Sequence, residues 1–123
     1  YFVLKALADA GRYESVYRLL VNEGEHGWVN MLREGASACF EAWGKEQKWN
    51  TSLCHPWATA PVSILIEELA GIHPDPGEHN GYRFEPHIPD SIKEFCLTVP
   101  FGGKQLKVIK EDGRIALYQK GYC

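Results

Sequence analysis

The run Pro56-Trp57-Ala58-Thr59-Ala60-Pro61-Val62-Ser63-Ile64-Leu65-Ile66-Glu67-Glu68-Leu69-Ala70-Gly71 is followed, from His73, by His73-Pro74-Asp75-Pro76-Gly77-Glu78-His79-Asn80-Gly81. The first stretch predicts a helix over 56–70. Pro56 suits a first turn, Thr51 or Ser52 can cap the entry, and Gly71 stands at the exit. Apolar residues cover nearly its whole circumference, which asks for helical neighbours on several sides, as in a multi-helix barrel. Pro61 should kink it, because its ring offers no N–H to the carbonyl of Trp57. The second stretch consists of turn formers and cannot continue a helix.

On either side of that junction the periodicity differs. Upstream, Phe2, Val3, Ala6 and Leu7 recur at helical spacing up to Gly11, and Val16, Leu19 and Leu20 share a face of a second helix over 12–22. Together they predict a helical hairpin. The hairpin is similar to one unit of a helical repeat array, but the chain holds no second copy at a fixed period. Gly27-Trp28-Val29-Asn30-Met31-Leu32 reads as one helical turn or a tight loop. Downstream the period falls to two: Tyr82/Phe84, Phe95/Leu97/Val99, Leu106/Val108 and Ile115/Leu117 alternate with polar neighbours. Phe101-Gly102-Gly103 and Glu111-Asp112-Gly113 supply turns. Helices first and antiparallel strands afterwards make the class α+β rather than alternating βαβ. The expected divisions are helices over 1–72, a linker over 73–81 and an antiparallel β region over 82–123. Both halves look incomplete, and the opening Tyr1-Phe2-Val3-Leu4 reads as the middle of a helix, so a fragment of a longer protein is expected.

Composition narrows the partners. The 123 residues carry a net charge of −3, with lysines interrupted by acids, so no clustered basic face for nucleic acid is expected. The longest apolar stretch, Trp57 to Ile66, is broken by Thr59 and Ser63 and falls short of the roughly 20 residues of a membrane span. No membrane partner is expected, and the compartment stays open. Cys39, Cys54, Cys96 and Cys123 have no metal-ligand spacing. Neither a metal nor a cofactor is expected. Cys39 and Cys96 read as small buried thiols, and a Cys39–Cys54 disulfide remains open.

The chemistry concentrates between 28 and 57. Glu41 lies between Phe40 and Trp43, and aromatic surroundings would desolvate its carboxylate and raise its pKa, preparing it for proton transfer. From the residues alone, a surface glutamate stands beside that reading. His55 before Pro56 suits a sugar hydroxyl, an acid–base role or a structural hydrogen bond. Trp43, Trp49 and Trp57 within 15 positions, with Trp28 upstream, offer apolar faces for sugar C–H groups; core packing is the alternative for Trp28 and Trp57. Glu67 and Glu68 point about 100° apart on a helix and cannot share one substrate.

The order Ala10-Gly11-Arg12, Gly27-Trp28-x-x-Met31-Leu32, Gly35-Ala36-x-x-x-x-Glu41-x-Trp43, Ser52-Leu53-x-His55, Ala70-Gly71-Ile72 and Pro74-x-Pro76-Gly77 resembles the C-terminal part of α-L-rhamnosidases (glycoside hydrolase family seventy-eight). The resemblance runs over essentially the whole chain and is most specific over 27–77. It implies the last helices of an (α/α)₆ barrel followed by a C-terminal β-sandwich domain. It also implies inverting release of terminal α-L-rhamnose from glycosides, with Glu41 as general base and His55 and Trp43 against the sugar. Trp28 and Trp57 are the further candidate substrate-binding residues. Many members carry tryptophan where this chain has Phe40. The family's general acid comes from earlier barrel segments, so the remainder of a parent catalytic domain is an expected partner. A non-catalytic carbohydrate-binding or interaction module is the alternative.

Overall fold

The computed structural model describes residues 1–121, so Cys123 lies outside the described residues. It is α+β, with helices followed by antiparallel sheets. Two compact units divide the chain, Tyr1–Ile64 and Leu65–Cys123.

In the first unit, α1 (Phe2–Asp9) and α2 (Tyr13–Leu20) form the expected hairpin. Gly11, at φ +68°, ends α1: its N–H donates to Ala8 and the Arg12 N–H to Leu7, a Schellman pairing that needs a left-handed residue. In α2 the expected Val16 and Leu20 are buried and Leu19 is exposed, but the buried face of α1 differs from the expected one: Leu4 and Ala8 point inward, whereas Phe2 and Val3 are exposed. Apolar residues occur at almost every position of α1, so composition alone does not choose its inner face. α3 (Trp28–Arg33) starts after Gly27 and ends in a second Schellman pairing, with Gly35 at φ +80° donating to Leu32 and Ala36 to Met31.

The helix expected over 56–70 is broken into three pieces. A 3₁₀ turn (Pro56–Ala58) is followed by α4 (Ala60–Ser63) and then by a π-wound stretch (Ile64–Leu69), closed by Ala70 N–H donating five residues back to Leu65. Pro61 therefore occupies the first turn of a new helix, where the missing N–H costs nothing, and the run is interrupted before it rather than continuing through it. Side-chain capping by Thr51 or Ser52 is absent too: Thr51 Oγ1 donates to the Lys48 carbonyl and Ser52 Oγ to that of Cys54. The all-round burial fails at Trp57 and Val62, both exposed.

In the second unit, β1 (Ile72–Pro74) pairs antiparallel with β2 (Tyr82–Phe84). The loop between them is closed by Asp75, whose carboxylate accepts from Gly77 N–H and whose own N–H donates to Gly81. β3 (Phe95–Phe101), β4 (Lys104–Glu111) and β5 (Arg114–Gly121) form the expected meander. Gly102-Gly103 and Asp112-Gly113 all have positive φ, as two-residue hairpin turns with the right twist require. The pairs Val99–Leu106 and Val108–Leu117 stack on the inner face. Lys110 shares that face with its side chain only 4% exposed; its ammonium donates to the carbonyls of Ile88 (3.2 Å) and Pro89 (2.8 Å). Cys96, expected to be buried, is exposed because strand alternation turns it outward.

Candidate active site

Two irregular passages of the first unit, around 39–41 and 52–55, hold the site. Glu41 N–H donates to the Ser52 carbonyl at 2.9 Å, and His55 N–H donates to the Cys39 carbonyl at 2.8 Å. These bonds bring the ends of the 42–51 loop together. The loop is anchored again at its start: Asn30 Nδ2 donates to the Trp43 carbonyl (2.9 Å), and the Lys45 N–H donates to Glu34 Oε2 (2.8 Å). Gly44 is buried there, and an added Cβ would stand 2.7 Å from Glu34 Oε1. Gly44→Ala should push that carboxylate aside at a cost of about 1 kcal/mol. Faster hydrogen exchange at the Lys45 amide, measured by NMR, is the expected signature, and unchanged exchange would contradict it.

Phe40 and Glu41 differ in exposure: the first is buried and the second faces solvent. Phe40 is 2% exposed, and its N–H donates to the Met31 sulfur at 3.4 Å. The Glu41 side chain keeps 30% of its surface in solvent. Desolvation still pulls its pKa upward, but hydrogen bonds outweigh that pull and the expected upward shift is reversed. Lys48 Nζ donates to Glu41 Oε1 at 2.5 Å, and Ser52 N–H donates to Oε2 at 3.2 Å. The Lys48 hydrogen bond and then the Ser52 amide hold the carboxyl below the ordinary carboxylate range, with His55 adding a smaller pull in the same direction. Such a group is ionised throughout the neutral range. It can accept a proton from water but has none to donate.

Because its pKa is lowered on folding, Glu41 contributes stability above the unfolded carboxylate value of about 4.3. That contribution is lost as pH falls through the lowered folded value. Glu41→Gln should therefore be less stable than the parent at pH 7, with the gap closing in strong acid. Denaturant midpoints measured across pH 2–7 check this, and a constant gap would contradict it.

The aromatic residues divide. Trp28 and Trp43 pack edge to face, with centroids 4.9 Å apart at 77°. Trp57 is 91% exposed two residues after His55, and Trp49 is 95% exposed in the loop after Lys48. Burial pushes the Cys39 thiol up, away from nucleophilic use. Lys48 is the residue that sequence reasoning missed. It reads as one of several solvated lysines, because a contact across seven loop residues leaves no periodic trace. Among the described residues there is no group of three or more His, Cys, Asp or Glu placed to hold a metal ion, and no helix long and apolar enough to cross a membrane.

The region containing Glu41, Lys48 and His55 lies inside a family match. A family model described as the bacterial alpha-L-rhamnosidase 6 hairpin glycosidase domain covers residues 1–69. No curated protein and no solved structure matches the chain. The match takes in α1 to the π-wound stretch and stops before β1. Spanning more than half of the 123 residues, it shows that the chain belongs to the bacterial α-L-rhamnosidase six-hairpin glycosidase family.

Proposed function

We propose that this chain carries the water-activating half of an inverting α-L-rhamnosidase site. Glu41 is the general base, His55 and Trp43 hold the sugar, and Trp28 and Trp57 add indole surface to the substrate site. In this reading the helical residues up to the end of the family match at 69 are closing helices of an (α/α)₆ barrel, and the strands β1 to β5 that follow belong to a β-sandwich domain. Membership of the family implies a glycoside substrate, and the substrate class proposed is a glycoside or oligosaccharide with terminal α-L-rhamnose. The general acid, which protonates the leaving oxygen, comes from the remainder of the parent catalytic domain. It stands roughly 6.5–9.5 Å from the base so that a water fits between them.

The observation that carries this reading is the ionised, partly exposed Glu41 carboxylate held by Lys48 and the Ser52 amide inside the family-matched segment. A carboxyl meant to protonate a leaving group needs a raised pKa, whereas one meant to take a proton from water must be ionised. The test is rhamnose release from an aryl α-L-rhamnoside. The chain alone should release none. A longer polypeptide that includes the acid-bearing segment should release it, with the inverted anomer appearing first by NMR. Release by the chain alone, or first appearance of the retained anomer, would overturn the proposal.

A further inference from the structure

We infer that Lys48 is the positioning residue of the base, delivered to Glu41 by the closed 42–51 loop. This rests on Glu41 being the general base. The ammonium meets Oε1 at 2.5 Å while the Ser52 amide meets Oε2 at 3.2 Å, so both carboxylate oxygens are engaged and rotation about the terminal bond is opposed from two sides.

The lysine is itself held. Its carbonyl accepts from Thr51 N–H at 3.1 Å and from Thr51 Oγ1 at 2.7 Å, which fixes the backbone just past the side chain. One residue earlier, Gln47 Nε2 donates to the Glu25 carbonyl at 3.2 Å. The far end of the loop is tied to Glu41 by its own N–H to the Ser52 carbonyl. A solvated surface lysine has no such support; here hydrogen bonds fix the loop on both sides of the residue that presents the charge.

The chemical consequence is a division of labour. A base that activates water must be ionised and aimed before the water arrives, because misplacement by about 1 Å can cost on the order of 10²-fold in rate. Lys48 supplies the aim and reinforces an ionisation the carboxyl already has at neutral pH. Each carboxylate oxygen has two lone-pair directions, so the ammonium and the amide leave acceptor capacity for the water proton. Lys48 neither gives nor takes a proton in the step; it acts through Glu41.

Titration of the Glu41 side-chain carboxyl, followed by ¹³C NMR on the chain itself, reads the pairing directly. Lys48→Met should raise its midpoint and Lys48→Arg should leave it near that of the parent. In the longer, active polypeptide, Lys48→Met should move the acidic limb of kcat/KM upward and lower the plateau about tenfold or more, and Lys48→Arg should restore both. Should Lys48→Met loosen the loop, seen as faster exchange at the Glu41 amide, Lys48→Gln repeats the test with a hydrogen-bond donor kept and the charge removed. An unmoved midpoint and limb in both uncharged variants would overturn the proposal. So would a uniform loss of rate at all pH values that arginine fails to rescue. Full activity of Glu41→Gln would instead sink the general-base assignment, which keeps the two failures apart.

Discussion

Glu41→Gln should lower kcat for aryl rhamnoside hydrolysis by roughly 10²–10⁴-fold, measured in a polypeptide that joins this chain to its acid-bearing segment. Glutamine keeps the volume and one acceptor oxygen, so it can still take a bond from Lys48 or from the Ser52 amide. It loses the charge and the ability to hold a proton from water. The deficit should therefore fall equally on kcat and kcat/KM, with KM nearly unchanged, as when an interaction is made only in the transition state. The loop should stay folded, since the lost ion pair is solvent-exposed and exposed pairs contribute little to stability. Turnover close to that of the parent would refute the role of Glu41.

Gly71→Ala carries the largest expected cost in stability. Gly71 sits at φ +73°, and a Cβ there would lie 2.0 Å from the Glu85 carbonyl oxygen, 2.1 Å from its carbon and 2.4 Å from the Pro86 nitrogen. All three are backbone atoms, so no rotamer change relieves the overlap. The same approach carries the bond from Glu85 N–H to the Gly71 carbonyl at 2.8 Å, beside the Ile72–Phe84 pair that begins the β1–β2 ladder. Left-handed strain and the clash together should cost roughly 3–5 kcal/mol, a large share of what a domain of this size holds in reserve. Gly113→Ala is the control. Its φ is also +73°, with nothing within 4 Å of an added Cβ, so it should lose only the conformational part, about 1–2 kcal/mol. Equal losses in the two variants, from chemical denaturation followed at the β1–β2 ladder by hydrogen exchange, would contradict the close approach.

Legibility in the sequence followed the length of the pattern. The meander was legible because three strands repeat a period of two and their turns are glycine-rich. The helical hairpin was legible from Gly11 and the spacing on either side. β1 was not, since Ile72-His73-Pro74 is too short to display a period. Two prolines five residues apart, Pro56 and Pro61, each suit a first turn, so the sequence does not show that the 56–70 run breaks between them or that it ends π-wound. The helical part of the family assignment was legible in motif residues, above all Gly35, Glu41, Trp43 and His55. The electrostatics of Glu41 were not, because Phe40, adjacent in sequence, is buried, and Lys48, seven residues on, meets the carboxylate.

Lys110 has a practical consequence for chemical probing. Amine-reactive acylating reagents modify amines that solvent can reach, and Lys107 and Lys120 are exposed. The Lys110 nitrogen is enclosed against two carbonyls. Its acylation has to wait until the meander parts from the Ile88–Pro89 segment. The rate at which this one side chain picks up label is therefore a clock for that separation, read by mass spectrometry with the exposed lysines as the internal standard.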